Sequence, residues 1–294
     1  PPSSQQRNPS SVFVDDSGYA FDPSDTSCGG FPALPVETMA DTCLGMVMSH
    51  SNNKKNGKLQ IKMPRLIIRI PNVTPDQFLV TDMGGWGAGV GSLFLLHPRN
   101  SGYQMTPLLR KLDLPHGLVY NKRDGYFYLG ENNQIIRFKY NPNTREILDK
   151  QIVAKNLIQV AKHMHPLTHF TFDPVTGDMY INSGAPNDHC FQGDGNYKQR
   201  CPDETLNKMA SIQKVPAKAL DDLKPGEYLT EKDFTIIAKG LRNSMALTVT
   251  PNGRFLIQGE NSRDFPELEE PYEEMNLIQL QKSKVKHFGW PYCY

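Results

Sequence analysis

The feature that most constrains the fold of this chain is a two-strand pattern that occurs four times. Each copy has a polar residue, a short apolar strand, a tight turn, and a second apolar strand that ends in a polar residue. The first strands of the four copies are Leu66–Ile70, Gly117–Tyr120, His169–Phe172 and Ala246–Val249. Alternating apolar positions, as at Phe170 and Phe172, have the period of a half-buried strand. The chain is therefore expected to fold as a series of similar hairpins.

The spacing of the turns gives the size of the repeat. The turns recur near residues 76, 124, 176 and 252, in steps of 48, 52 and 76 residues. Asp124-Gly125 and Asn252-Gly253 are predicted to form two-residue hairpin turns, because both central positions tolerate positive φ. A period of about 50 residues with several strands in each unit is typical of a propeller blade. The long last step is interpreted as one blade with a large insertion, in which Lys214–Leu223 is predicted to form a short helix.

These repeats predict an all-β fold, a β-propeller of which about four blades are visible in the chain. Further strands are predicted after the first two hairpins, at Ser92–Leu96 and Gln134–Phe138. Residues 61–294 are assigned to the propeller domain. Residues 1–60 are rich in Ser, Asn and Pro and show little periodicity, so they are assigned to an irregular N-terminal extension.

Charge and hydropathy argue against two kinds of partner. The chain has 32 basic and 31 acidic residues and no basic cluster, so its composition gives no reason to expect nucleic acid. No apolar run approaches the roughly 18 residues that a membrane helix requires, and no membrane span is predicted.

The five cysteines indicate the redox compartment. Cys28 and Cys43 are 15 residues apart, Cys190 and Cys201 are 11 apart, and Cys293 is left over. None has the Cys-x-x-Cys spacing of a zinc site. Two local disulfides in an oxidising compartment are preferred over five free thiols in a cytosolic protein.

Two further features bear on localisation. Asn72-Val73-Thr74 is an N-glycosylation sequon. The chain begins with Pro1 rather than Met, which fits either a boundary of the sequence or a mature end left by removal of a targeting segment. A secreted, periplasmic or lumenal location is predicted.

The polar residues at the strand starts point to a site. Because equivalent positions in propeller blades converge on the central axis, Arg65, His116, His165 and the pair Arg242 and Asn243 are expected to face one end of the channel. Each of them alone is as well explained by hydrogen bonding to loop backbone groups. Four such positions in matching repeats favour a shared site.

Acidic residues at the far ends of the hairpins, Asp82, Glu131 and Glu260, are candidates for the same polar pocket. The alternative interpretation is that Asp82 and Glu131 simply end their strands. His169 alternates with apolar positions, and a structural role is preferred for it.

The strongest motif is Gly240-Leu241-Arg242-Asn243. It resembles the Gly-Leu-Arg-Asn element of the soluble quinoprotein sugar dehydrogenases, the glucose and sorbosone dehydrogenase-like family that uses pyrroloquinoline quinone (PQQ). Other segments resemble elements of that family in the same order: Leu114–Leu118, His165–Gly177, Ser183–Cys190, Glu274–Leu277 and His287–Cys293. The resemblance covers roughly residues 60–294, and the ordered set of motifs is specific for the fold and superfamily.

The resemblance implies a six-bladed propeller that binds PQQ and calcium over the channel. It implies that His165 is the base that takes a sugar hydroxyl proton while hydride passes to the quinone. Arg242 would stabilise negative charge on the quinone oxygen, and Asn243 would help to hold the cofactor. Imidazole and guanidinium suit these roles. His116 and Arg65 are assigned as further cofactor contacts, and an external electron acceptor is implied, for which a haem protein is one candidate.

Calcium prefers carboxylate and carbonyl oxygens, which Gly259 and Glu260 can supply. The chain departs from the family pattern nearby, because Ser262 stands where Gly is usual.

The chain also shows four repeats where the family has about two more blades, which carry basic residues that bind the carboxylates of PQQ. The C-terminal blades are therefore expected to be missing from this chain. Three explanations are open: the sequence is truncated, a second chain completes the propeller, or the protein is not a working quinoprotein.

Three functions remain open from the sequence. The first is a PQQ-dependent sugar dehydrogenase, favoured by His165 together with Arg242 and Asn243. The second is a non-catalytic extracellular propeller that binds a protein or glycan partner and resembles the hedgehog-interacting protein, favoured by the missing basic residues. The third is a calcium-dependent lactonase, which would need a carboxylate-rich site on the axis.

Overall fold

A computed structural model describes residues 13–14, 20–22, 24–47, 54–55, 58–99, 102–157, 165, 167, 169–186, 208–262, 272–281 and 284–291. Regular structure in these residues is almost entirely β, which confirms the all-β prediction. Among the described residues, no helix has the length and apolar character that crossing a bilayer requires.

Most strands belong to four blade-like sheets. The first blade contains β5 (Pro64–Arg69), β6 (Phe78–Asp82), β7 (Gly91–Arg99) and β8 (Gly102–Leu112). The second contains β9 (Leu118–Asn121), β10 (Tyr126–Gly130), β11 (Gln134–Asn141) and β12 (Glu146–Lys155). The third contains β13 (Phe170–Phe172), β14 (Met179–Ser183), β15 (Ser211–Val215) and β16 (Thr235–Lys239). The fourth contains β17 (Ser244–Val249), β18 (Phe255–Glu260) and β19 (Glu274–Gln279).

Within each blade, consecutive strands are hydrogen-bonded neighbours. The inner strands β9, β13 and β17 also lie next to one another, since β13 contacts both of the others. Matching first strands of successive blades therefore lie side by side, as in a propeller. Four blades are confirmed, and the count of six implied by the resemblance stays a prediction.

The hydrophobic core lies between blade faces because successive side chains of a strand point in opposite directions. On β14, Ile181 packs in a cluster with Tyr128 and Phe170. Its neighbour Tyr180 packs in a second cluster with Leu247. Four of the five residues of β14 are buried, so this strand is covered on both faces.

The hairpin loops are longer than predicted. In the second blade, Asn121 pairs with Tyr126, so four residues form the loop, and Gly125 has φ 75°. The Asn121 side chain accepts a backbone N–H two residues on, at 3.0 Å. The equivalent loops, residues 174–177 and 251–254, also contain four residues. The predicted two-residue turns were wrong, because the side chain of the residue just before the loop accepts a backbone N–H within it and stabilises a longer turn.

The third blade carries the predicted insertion. Its strands β14 and β15 are separated by residues 184–210, and β15 and β16 by residues 216–234. The predicted helix is shorter than expected: α1 spans Ala217–Asp221, because β15 continues to Val215 before Pro216 begins the helix. A 3-10 helix spans Glu231–Asp233, and β20 (Lys286–His287) adds to β16 in parallel.

The chain divides into two compact units. The first consists of Pro1–Lys62, Arg69–Leu79 and Phe94–Thr106, and the second of Met63–Ile68, Val80–Leu93 and Pro107–Tyr294. The borders fall within strands of the first blade, and the predicted site residues all lie in the second unit. The predicted boundary at residue 60 stays a prediction.

The first unit contains a disulfide and four short strands. Cys28 and Cys43 are bonded, with Cα atoms 5.6 Å apart, which confirms that predicted pair. The other three cysteines, Cys190, Cys201 and Cys293, lie outside the described residues. The short strands are β1 (Phe13–Val14), β2 (Ala20–Phe21), β3 (Lys54–Lys55) and β4 (Lys58–Leu59).

The predicted sequon also lies in the first unit. Asn72 is exposed in a turn with φ 59°. Its side chain is therefore accessible, and glycosylation stays a prediction.

Candidate active site

Three blades share one brace at the ends of their first hairpins. A carboxylate at the end of the second strand, or one residue beyond it, accepts a backbone N–H from a residue that precedes the first strand. The pairs are Met63 N to Asp82 Oδ1 at 2.6 Å, Asp113 N to Glu131 Oε2 at 2.7 Å, and Asn243 N to Glu260 Oε1 at 2.6 Å. The backbone N–H of the residue after each carboxylate donates in turn to the carbonyl oxygen of the same partner residue. These bonds join Met83 to Met63, Asn132 to Asp113 and Asn261 to Asn243, each at 2.9 Å. Each carboxylate thus closes its own hairpin.

The third blade uses an amide for the same purpose. Asn182 Oδ1 accepts the N–H of His169 at 2.9 Å, and Asn182 N donates to His169 O at 3.2 Å. Burial lowers the pKa of the His169 imidazole, since a charged ring would be poorly solvated there. These contacts agree with the structural role predicted for His169.

His165 is held by the backbone of Ala185. His165 is 4% exposed, and its Nδ1 lies 2.7 Å from Ala185 O. Because a carbonyl oxygen can only accept, Nδ1 carries the proton, and Nε2 carries the lone pair in the neutral ring. Gly184 leaves room for this contact, because a Cβ atom at that position would lie 2.4 Å from His165 Cβ.

The same residue also holds Arg242. Ala185 N donates to Arg242 O at 2.7 Å. Ala185, which is fully buried, therefore hydrogen bonds to His165 through its carbonyl and to Arg242 through its N–H. One peptide segment fixes the proposed base and the proposed cation relative to each other.

The Arg242 guanidinium is anchored in a buried position. Arg242 is 6% exposed, and its Nη1 donates to Asn261 O at 2.6 Å and Ser262 O at 2.5 Å. These two bonds hold the guanidinium charge in a fixed position, close to the Glu260 carboxyl group.

Glu260 lies in a dense network beside Arg242. Its Oε2 accepts from Gln258 Nε2 at 2.5 Å, and its Oε1 accepts from Asn243 N at 2.6 Å. Burial raises the pKa of Glu260 to about 7, and its hydrogen bonds and Arg242 partly oppose that rise. Both carboxylate oxygens thus have partners within the chain.

Asn243 has one polar atom without a partner. Asn243 Oδ1 is buried and makes no hydrogen bond within the described part of the chain. A buried acceptor left in this state costs about 1–3 kcal/mol. Its position next to Arg242 is suited to a ligand that brings a donor or a cation.

Two motifs of the sequence meet at Gly240. Gly240 has φ +72°, and a Cβ atom there would lie 2.4 Å from the His287 imidazole. Trp290 N donates to Gly240 O at 3.1 Å. The Trp290 side chain packs in a buried cluster with Ala185 and Ala210, so it supports the segment that holds His165 and Arg242.

The sequence profile of one family matches residues 60–294. The chain belongs to the TrAA12-like family. This confirms the resemblance to PQQ-dependent sugar dehydrogenases. Comparison with curated protein sequences gives no match.

Solved structures show the same fold. The PQQ domain of Coprinopsis cinerea pyranose dehydrogenase in its holo form matches with TM-score 0.57 and 16% identity over 79% of this chain and 55% of that chain. An iodide structure of the Trichoderma reesei family AA12 enzyme matches with TM-score 0.54 and 19% identity over 78% and 55%. The apo form of the soluble aldose sugar dehydrogenase from Escherichia coli matches with TM-score 0.52 and 16% identity over 79% and 63%. The chain thus spans about half to two thirds of these relatives.

In this TrAA12-like chain, the two remaining predicted cofactor contacts lie in the first two blades. Arg65 Nε is 2.9 Å from Met83 Sδ, its guanidinium lies 5.8 Å from the Trp86 ring centroid, and burial lowers its pKa. His116 is buried, and its carbonyl accepts from Thr81 Oγ1 at 3.1 Å. Their roles toward PQQ stay predictions.

The structure joins His165, Arg242, Asn243 and Glu260 in one hydrogen-bonded set through Ala185 and Asn261. Sequence reasoning missed Ala185 as the connecting residue. The only signal for it was its place in the Ser183–Cys190 loop, where a small residue follows Gly184.

The metal assignment stays a prediction. Among the described residues, no three histidine, cysteine or acidic side chains form a group that could hold a metal ion. Gly259 lies within β18, opposite Ala246 and Met275. Calcium at this place would have to rely mainly on carbonyl oxygens.

Proposed function

We propose that this TrAA12-like chain carries the catalytic part of a PQQ-dependent dehydrogenase that oxidises a sugar hydroxyl. The observation that carries the proposal is the double hydrogen bond of Ala185, to His165 Nδ1 at 2.7 Å and to Arg242 O at 2.7 Å. It gives one site both a neutral base and a fixed cation. Oxidation of an alcohol by hydride transfer needs both functions.

His165 is the proposed base. With Nδ1–H bonded to Ala185 O, Nε2 accepts the proton of the sugar hydroxyl. The hydrogen bond at Nδ1 orients the ring and stabilises the imidazolium that forms. Bound PQQ would accept the hydride from the sugar carbon that carries this hydroxyl. The alcohol would thereby become a carbonyl.

The residues present fit the cofactor. Asn243 Oδ1 is a buried acceptor without a partner in the described residues, so it can receive the pyrrole N–H of PQQ or a bound cation. The Arg242 guanidinium would stabilise negative charge that develops on the quinone oxygens. Arg65 and His116 are proposed as further contacts to the cofactor.

Calcium and the electron acceptor complete the proposal. Gly259 and Glu260 are proposed as the calcium contacts. An external electron acceptor, for which a haem protein is a candidate, would regenerate the quinone. The Cys28–Cys43 disulfide supports a location in an oxidising compartment, outside the cell or in a periplasm or lumen.

The test is a titration of the purified full-length protein with PQQ, with and without calcium, followed by a panel of aldoses. Saturable PQQ binding and a sugar-dependent change in quinone absorbance are expected. If PQQ fails to bind in the presence of calcium, the proposal is wrong. The chain would then be better described as a non-catalytic propeller that binds a protein or glycan.

A further inference from the structure

A small cavity lies beside His165. Its lining includes His165, Gln213, Asn182, Asn132 and Glu231, together with apolar side chains. Its volume of about 20 Å³ is enough for about one water molecule. Because the lining is rich in amide groups, the cavity is polar enough to be hydrated.

Gln213, one of the residues that line this cavity, has an unsatisfied acceptor. Gln213 lies on β15 opposite Ile181 and is 1% exposed. Its Nε2 donates to Lys208 O at 3.1 Å. Its Oε1 is buried and has no hydrogen-bond partner among the residues that the structure describes. A buried amide oxygen without a donor is costly, and a bound water is the usual remedy.

We propose that one water molecule occupies this cavity, donates a hydrogen bond to Gln213 Oε1, and together with Gln213 favours the protonated form of His165. The functional meaning of this water rests on the proposed role of His165 as the base. Gln213 is then a positioning residue that acts on His165 through the water.

The physical reason is electrostatic. When His165 takes a proton, a positive charge forms in a nearly buried position, where burial disfavours it. The oxygen of an amide is the negative end of its dipole, and a water bound to it can reorient toward the new charge. Both effects lower the free energy of the imidazolium relative to an apolar cavity.

Other charged groups also surround His165. Glu231 lines the same cavity. Lys208 Nζ donates to Glu231 O and Phe234 O, and Arg242 is joined to His165 through Ala185. The backbone N–H of His169 donates to the side chain of Asn182, which lines this cavity. Substitution at position 213 leaves these charged side chains in place but removes the hydrogen bond from Gln213 Nε2 to Lys208 O, so the effect of the acceptor is isolated by comparing two variants that both lack this donor.

The test is an NMR titration of the His165 imidazole nitrogens in the purified protein without cofactor, with His165→Gln used to assign the signals. Gln213→Met keeps the side-chain length and removes the acceptor together with the Nε2 donor to Lys208 O, so the pKa of His165 is expected to fall by about one unit. Gln213→Glu places a stronger acceptor there and is expected to raise it. Gln279→Met on β19, away from the cavity, is the matched control and should change nothing.

A crystal structure of the wild-type protein should show one ordered water at Gln213 Oε1, and that of Gln213→Met should lack it. An empty cavity in the wild type, or an unchanged His165 pKa in both variants, would overturn the proposal. Because the titration needs no PQQ, its outcome is separate from that of the proposed function. If the enzyme is active, Gln213→Met should also shift the acid limb of the kcat profile with KM unchanged.

Discussion

The His165 Nδ1 atom lies 2.7 Å from the carbonyl oxygen of Ala185, whose N–H is bonded to the carbonyl of Arg242. These two bonds connect the third and fourth blades at the candidate active site. The proposed base and the proposed cation are thus held by backbone groups, whose positions are set by the fold. Positioning of this kind reduces the reorganisation that accompanies charge development.

Asn243→Leu should affect stability and cofactor affinity in opposite directions. Removal of the buried Oδ1, which has no partner in the described residues, should leave the cofactor-free protein as stable as the wild type or more stable, by about 1 kcal/mol. PQQ affinity should fall at the same time. Urea unfolding and PQQ titration measure the two effects, and a parallel loss of both would contradict the assignment of Asn243.

Gly184→Ala should disturb the site through a steric clash. The new Cβ would lie 2.4 Å from His165 Cβ and 2.8 Å from its carbonyl oxygen, and overpacking of this kind costs about 1–3 kcal/mol. Thermal unfolding should show the loss. Gly87→Ala is the matched control, because its Cβ would meet only Val90 at 3.6 Å or more. Equal stability of the two variants would argue against the packing described at Gly184.

Trp290→Ala should weaken the support of Ala185. Trp290 is 4% exposed and packs against Ala185 and Ala210, so its truncation should cost about 3–5 kcal/mol. Trp290→Phe should lose less stability but still lower kcat, because the segment that holds His165 is less firmly packed. Tyr228→Phe, at a position 45% exposed, should leave both unchanged. Wild-type kcat in Trp290→Phe would show that this packing has no influence on the site.

His169 should make stability depend on pH. Burial lowers its pKa in the folded protein, so the unfolded chain binds the proton more readily. Its contribution is therefore present above the unfolded value of about 6.5 and is lost as pH falls through the lower folded value. Urea unfolding at pH 7 and pH 5 should show a smaller loss in His169→Gln than in the wild type. An equal loss between pH 7 and pH 5 in the two proteins would contradict this role of His169.

Much of the fold could be predicted from the sequence because it depends on local patterns. The alternation around Phe170 and the spacing of the hairpins are properties of short segments, and they gave the blades correctly. The loop length at Asn121 could not be predicted from the Asp124-Gly125 pair. It depends on the side chain of Asn121, which lies just before the loop and accepts the backbone N–H of Arg123 inside it.

The site could be predicted only in part. His165, Arg242 and Asn243 were predicted as site residues from repeat positions and from the family motif. Their connection through Ala185 was missed, because an alanine that acts through its backbone carries no chemical signal in the sequence. The same holds for Trp290, whose contact with Ala185 joins segments about 100 residues apart.

The most direct test of the central claim is sugar-dependent reduction of bound PQQ in His165→Gln, measured by quinone absorbance beside the wild type. The account predicts that PQQ affinity is retained and that the rate falls by roughly 10²–10⁴-fold, since general-base catalysis contributes about that much. A variant that binds PQQ and oxidises sugar at the wild-type rate would contradict the assignment of His165 as the base.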